Sequence, residues 1–239
     1  RAALRRGGLS LAVDLRAAAV TAALCAVGLA GVVLHVGVGE YPISPPDVLR
    51  ALLGLTSGEE NYAFIVNALR LPRALVAFLV GAALALSGAI LQGLTRNPLA
   101  APEILGINAG AGLAAVTLIV ALPSAPAALV PPAAFAGAVA VAGALYLVAW
   151  RGGSSPVRLV LIGVGIGAVA TALTTIMITY GEIEQVSQAL VWLTGSVYGR
   201  SWEELWTLLP WLVAFGALAL LRARHLNALS LGDEVAAGL

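Results

Sequence analysis

Between Arg73 and Arg96 the chain runs for 22 residues without a charge. As an α-helix rising 1.5 Å per residue, that run is about 33 Å long, enough to cross a hydrocarbon core of roughly 30 Å. It therefore predicts a membrane span. Its ends are marked as well: Arg70 and Arg73 flank Pro72 at the entrance, and Thr95-Arg96-Asn97-Pro98 breaks the helix at the exit. A new apolar stretch opens at Pro102-Glu103, with Gly106, Gly110 and Gly112 cutting down its bulk.

Composition extends this reading to the whole chain. Hydrophobic residues make up 60% of the 239 and charged residues only 10%, with a mean hydropathy of +0.97. An average soluble domain carries about 25% charged residues. A water-soluble core large enough for so much apolar surface is implausible at this length, so lipid must be the solvent for much of it. The net charge of +1, with no basic cluster longer than Arg5-Arg6, argues against nucleic acid as a partner. There is no lysine, hence no phosphate-gripping P-loop lysine, and ATP hydrolysis would fall to another subunit. Cys25, alone in an apolar run, reads as a small buried hydrophobe. The sequence opens on Arg1 rather than methionine, which reads as a trimmed start, and the first apolar run reads as a retained span, not a signal peptide.

The uncharged runs predict six spans and one half-helix. The first lies between Arg16 and Glu40, with His35 near its outer end as an interfacial residue, and the second covers 61–94. Between them, Ser44-Pro45-Pro46-Asp47 has the form of an N-cap followed by proline at the first helical position, and Gly54 is a natural stop. A surface helix over 45–53 follows from that. The 47 uncharged residues after Glu103 are divided by Pro123, Pro126, Pro131 and Pro132 into a third span at 104–122 and a fourth at 133–150. A polar turn, 151–158, leads to a fifth span at 159–181. Gly163 and Gly167, like Gly106 and Gly110, form small-xxx-small pairs that let helices approach closely in lipid. The 15 uncharged residues 185–199 are too few to span and predict a re-entrant or interfacial helix. A sixth span covers 205–221, with Trp202, Trp206 and Trp211 as an aromatic belt and Pro210 as a kink. Placing the N-terminus in the cytoplasm puts nine arginines inside and four outside, the arrangement the positive-inside rule favours.

No charged residue sits in the middle of any span, so a midplane proton or ion site of the kind ion-coupled carriers keep is missing. Nor is there an HExxH, a Ser-His-Asp set or a paired carboxylate in a span. No catalytic residue and no metal ligand set is expected. An ion-coupled secondary transporter and a non-transporting scaffold remain the competing classes; co-purification with an ATPase separates both from an ATP-driven importer.

Three strings carry a resemblance: RLPR at 70–73, GAALALSGAILQ at 81–92, and RNPLA followed by P-x-x-L-G within 96–106. They resemble the signature of the FecCD/BtuC-type permease family, which carries ferric siderophores, haem and cobalamin through binding-protein-dependent ABC importers. The resemblance covers about 41–239. It implies an all-α polytopic transmembrane helical bundle forming one permease domain over 1–239, with six of about ten spans present and the C-terminal ones missing. It also implies a bacterial cytoplasmic membrane location, a second permease subunit, two ATPase subunits holding ATP and Mg, and a soluble substrate-binding protein. The chain itself would need no cofactor.

The resemblance further implies roles for particular residues. Arg70 and Arg73 would face acidic residues on the binding protein, a pairing that suits a guanidinium fork; interfacial snorkelling is the alternative. Ser154 and Ser155 would form the cytoplasmic gate, although they need be no more than turn residues. Gln185, Gln188, Trp192, Thr194 and Ser196 would line the upper pathway, with Glu182 and Glu184 as a solvated rim. The stretch 226–239 would be the cytoplasmic coupling region, with Asn227, Leu229, Leu231, Gly232, Glu234 and Val235 meeting the ATPase. Within it Ser230 and Asp233 look like a capping-box start. VWLTGS at 191–196, followed by Gly199-Arg200-Ser201-Trp202, is more similar to ferric-siderophore permeases than to cobalamin ones, so a ferric siderophore is the expected cargo, with haem and cobalamin as alternatives.

Overall fold

The computed structural model describes residues 2–6, 9–13, 15–55, 60–149 and 155–230, together with Gly232 and Gly238. A short antiparallel hairpin opens the chain, β1 (Ala2–Arg6) paired with β2 (Leu9–Val13), with Ala2 opposite Val13 and Arg6 opposite Leu9. It is not among the elements expected from the sequence. Among the described residues, the regular structure after it is helical and includes α1 (Leu15–Gly37), α2 (Pro45–Leu52), α3 (Glu60–Phe64), a π turn (Ile65–Arg70), α4 (Leu71–Thr95), α5 (Ile107–Ala121), α6 (Val130–Ala149), α7 (Pro156–Tyr180), α8 (Ile183–Thr194), α9 (Trp202–Leu221) and α10 (Ala223–Ser230). The residues group into two compact units, Arg1–Ala82 with Val197–Leu212, and Ala83–Ser196 with Val213–Leu239; α4 and α9 each pass from one to the other.

Five helical stretches among the described residues are long and apolar enough to cross a membrane: Leu15–Gly37, Tyr62–Thr95, Ala127–Ala149, Pro156–Tyr180 and Trp202–Leu221. Their surfaces explain why lipid is required. Leu24 and Val27 on α1 are 66% and 68% exposed, and no described charged or polar residue is buried. At roughly 25 cal/mol per Å² of apolar surface, leaving such helices in water would be prohibitive, while in hydrocarbon it costs nothing. Cys25 is exposed on the same helix, not buried as the sequence suggested.

In the first unit, α2 forms as expected. Ser44 caps it, Pro45 occupies the first turn where a missing N–H is harmless, and the chain leaves through Gly54 at φ +68°. Val36, Ile43, Val48, Ala51, Val66 and Ala74 bury together where α1, α2 and the π turn meet.

The second unit corrects the third span. Rather than one helix over 104–122, a 3-10 turn (Pro102–Leu105) ends at Gly106, in the left-handed region at φ +70°, and α5 has 15 residues. At 1.5 Å each that is about 22 Å, short of a full crossing. Helix α5 is also the most enclosed, packed by α6, α7 and α8, with Ala115, Val116 and Ile119 in a core shared with Val130, Ala134 and Ala189. Protein contacts on several sides let it stop short, because irregular backbone at membrane depth is tolerated where it is buried in protein. The fourth span starts earlier than read: Pro131 and Pro132 lie in the first turn of α6 instead of in the loop.

The glycines decide how close these helices come. A Cβ on Gly106 would lie 2.7 Å from the Gly163 carbonyl oxygen and 2.7 Å from the Gly167 Cα, both backbone atoms of α7. A Cβ on Gly137 would lie 2.6 Å from the Ala114 Cβ and also strike the Gly110 carbonyl, so α5 and α6 touch backbone to backbone. By contrast, Gly165 and Gly143 have no neighbour within 4 Å of such a Cβ.

Candidate functional site

The residues expected to act at the outer rim converge on the π turn of the first unit. Pro72 leaves one of its carbonyls without a backbone donor. In the wide register the Leu71 amide donates to Val66 O, so Asn67 O would need the amide of residue 72, which proline lacks. The indole Nε1 of Trp202 donates to that carbonyl at 2.9 Å. Asn67 meanwhile sends its side-chain amide to Ala51 O at the end of α2, 3.2 Å away. Trp202 is placed for this by a capping box: Ser201 accepts from the Glu203 amide, while the Glu204 carboxylate takes the Ser201 amide and hydroxyl at 2.8 and 2.7 Å. Ser201-x-x-Glu204 was legible in the sequence and marks the true start of α9, three residues before the predicted span.

Arg70 is spent within its own chain. One terminal nitrogen donates to Val36 O at 2.9 Å and Gly37 O at 3.4 Å, the other to Tyr41 O at 2.7 Å. These include carbonyls left over at the C-terminus of α1, where a cation also suits the helix dipole. Gly39 makes room for it, since a Cβ there would lie 2.5 Å from the guanidinium. The sequence reading of Arg70 as an outward-facing docking cation therefore meets a side chain already holding three carbonyls. Arg73 differs: its guanidinium carbon sits 5.4 Å from the centroid of the Tyr198 ring, and its buried Nε has no hydrogen-bond partner among the described residues.

Trp202→Phe removes the donor to Asn67 O and should cost about 1–3 kcal/mol, the usual penalty for an orphaned carbonyl. Pro72→Ala returns an amide to the turn. The double variant should thus lose less than the sum of the two single losses, measured by thermal unfolding in detergent. Strict additivity would show that the proline and the indole do not share the carbonyl.

Of the remaining candidates, Ser155 is the exposed N-cap residue of α7, without a side-chain cap bond, and Ser154 lies outside the described residues. Helix α8, with 12 residues, is short as expected. Its two faces differ: Ala189 is fully buried and Trp192 packs against the α5 core, while Gln188 is exposed. Trp192 thus packs, partly buried, against neighbouring helices. Gln185 donates to Glu182 at 3.4 Å, with its carbonyl oxygen buried and unpartnered among the described residues, and Thr194 is tied to Val191 O at 2.7 Å. Ser196 is exposed just beyond.

Asn227 and Leu229 lie on α10 and Gly232 just after it; Leu231, Glu234 and Val235 lie outside the described residues. Ser230 is the last residue of α10, its hydroxyl donating back to Asn227 O at 2.7 Å, and Asp233, the other half of the expected capping box, lies outside the described residues. An apolar cavity of about 470 Å³ lies between α5, α6 and α7, lined by Leu113, Val141 and Ile166 among others. Thr117, its one hydroxyl, already donates to Leu113 O at 2.7 Å, so the lining has no free side-chain donor for a polar ligand.

A chain of lipid-facing helices with a half-length helix beside them, packed backbone to backbone on glycines, defines a multi-pass membrane protein. It belongs to the FecCD transport family, whose sequence profile matches residues 24–239. It is 44% identical to the achromobactin transport system permease protein CbrC of Dickeya dadantii over 236 residues, 98% of this chain and 67% of that one. It is 43% identical to the Fe(3+)-citrate import system permease protein YfmE of Bacillus subtilis over 208 residues, 87% of this chain and 61% of that one. A solved structure described as an inward-facing conformation of a metal-chelate type ABC transporter superimposes with a TM-score of 0.80 at 25% identity, covering 92% of this chain and 67% of the other. The chain thus spans about three-fifths to two-thirds of the length of these relatives.

Proposed function

We propose that this chain is a permease subunit of an ATP-driven ABC importer that moves a ferric siderophore across the bacterial cytoplasmic membrane. The observation that carries the reading is the alignment of 98% of this chain with 67% of an achromobactin transport permease, joined by a ferric-citrate import permease of similar identity. The lack of charge at the middle of the spans supports it, because a path for a bulky chelate must let its cargo go.

In this reading the chain performs no covalent chemistry. A separate ATPase pair, holding ATP and Mg, supplies the energy; a second permease copy or paralogue completes the path; and a soluble binding protein delivers the cargo. The arginine distribution supports a cytoplasmic N-terminus. Arg73, with Tyr198 beside it, is the docking cation, and Arg70 with Trp202 holds the surface in shape. Ser154 and Ser155 form the inner gate. Gln185, Gln188, Thr194 and Ser196 with the exposed face of α8 line the path, and 226–239 meets the ATPase.

The test is uptake of radio-iron siderophore into proteoliposomes containing the intact transporter. Uptake is expected only with ATP and the ATPase present. Accumulation driven by an ion gradient without the ATPase would replace this reading with a secondary carrier, and uptake of cobalamin or haem in preference would reassign the cargo.

A further inference from the structure

The turn after α4 contains an oddity that the proposed function leaves unexplained. Arg96, at φ +53°, is the only described non-glycine residue in the left-handed region. An L side chain is disfavoured there, and glycine or asparagine is the ordinary occupant. The turn itself does not need arginine. Asn97 builds it, accepting the Leu99 amide on its side chain at 2.9 Å and the Ala100 amide on its carbonyl at 3.1 Å.

What arginine adds lies 133 residues further on. Its Nε donates to Leu229 O at 2.9 Å, within the last turn of α10. That carbonyl also takes the Gly232 amide at 3.3 Å, and Asn227 O is taken by the Ser230 hydroxyl. The guanidinium thus lies at the negative end of α10, where a cation is favoured, and ties it to the α4–α5 turn. The same turn runs on to Gly106, which rests on the backbone of α7.

We propose that Arg96 is a positioning residue: a latch that fixes α10 to the α4–α5 turn, so that displacement of α10 by an ATPase partner is delivered to α4 and, through Gly106, to α7. The transmission rests on the permease reading; the latch does not. An arginine kept in a backbone state that glycine would occupy more easily marks the side chain as the reason for the residue.

Arg96→Gly separates the two properties, because glycine accepts the backbone while removing the latch. The thermal midpoint of the purified subunit in detergent should hold or rise, while amide exchange across α10 should accelerate about tenfold, the loss expected for one hydrogen bond to a charged group. In the assembled complex, stimulation of ATP hydrolysis by cargo-loaded binding protein should fall several-fold. Unchanged exchange in α10 would overturn the latch whatever the protein transports. Faster exchange with stimulation intact would overturn the transmission. A wild-type complex that hydrolyses no ATP would count against the permease reading, and the exchange result would still judge the latch.

Discussion

Gly106→Ala should destabilise the fold by about 2–5 kcal/mol, whereas Gly165→Ala, on the helix that Gly106 touches, should be neutral or mildly stabilising. Two costs add at Gly106. Its φ of +70° costs an L residue about 1–2 kcal/mol, and its new methyl would lie 2.7 Å from backbone atoms of Gly163 and Gly167, which cannot rotate away. Overpacking of that kind adds about 1–3 kcal/mol. Gly165 has open space where its Cβ would go, and alanine gains up to about 1 kcal/mol in helix propensity. Unfolding of the two variants in the same detergent checks the contrast. Equal stability would mean that α7 and the Gly106 turn are not in backbone contact.

Arg70→Met should destabilise the first unit by about 3 kcal/mol, since it strips partners from the carbonyls of Val36, Gly37 and Tyr41 while keeping much of the aliphatic stem. Arg70→Lys should recover part of this loss, one ammonium replacing a fork that reaches carbonyls on two sides. The change has a consequence for testing docking. Reversing charge at both Arg70 and Arg73 would confound loss of partner with loss of fold, so Arg73→Glu alone is the informative variant. It should abolish capture of the binding protein by the intact complex while leaving the thermal midpoint within about 1 kcal/mol equivalent of wild type. A variant that unfolds as readily as Arg70→Met would show that Arg73 too is structural.

Much of the plan was open to inspection in the sequence. Length without charge located α1, α4, α6, α7 and α9, because crossing 30 Å of hydrocarbon demands about 20 apolar residues whatever lies alongside. Ser44 with Pro45 located α2, since the unpaired amides of a helix start need a local acceptor. The shortness of α8 was legible for the same reason as the spans. The half-crossing of α5 was not: its apolar run is long enough, and only the left-handed Gly106, required by the approach of α7, breaks it.

The roles of the arginines show the other side of the division. Arg70, Arg73 and Arg96 stand out equally in the sequence as charges beside a greasy run, and nothing local separates them. One caps α1 from 34 residues away, one stacks on Tyr198, and one reaches Leu229 across 133 residues. Hydrophobic length is a sum over neighbours in the chain, so sequence alone determined where the membrane is crossed. Which carbonyl a guanidinium finds, and which glycine meets which helix, depends on directed contacts a few ångströms long between distant segments, and only the tertiary structure decided those.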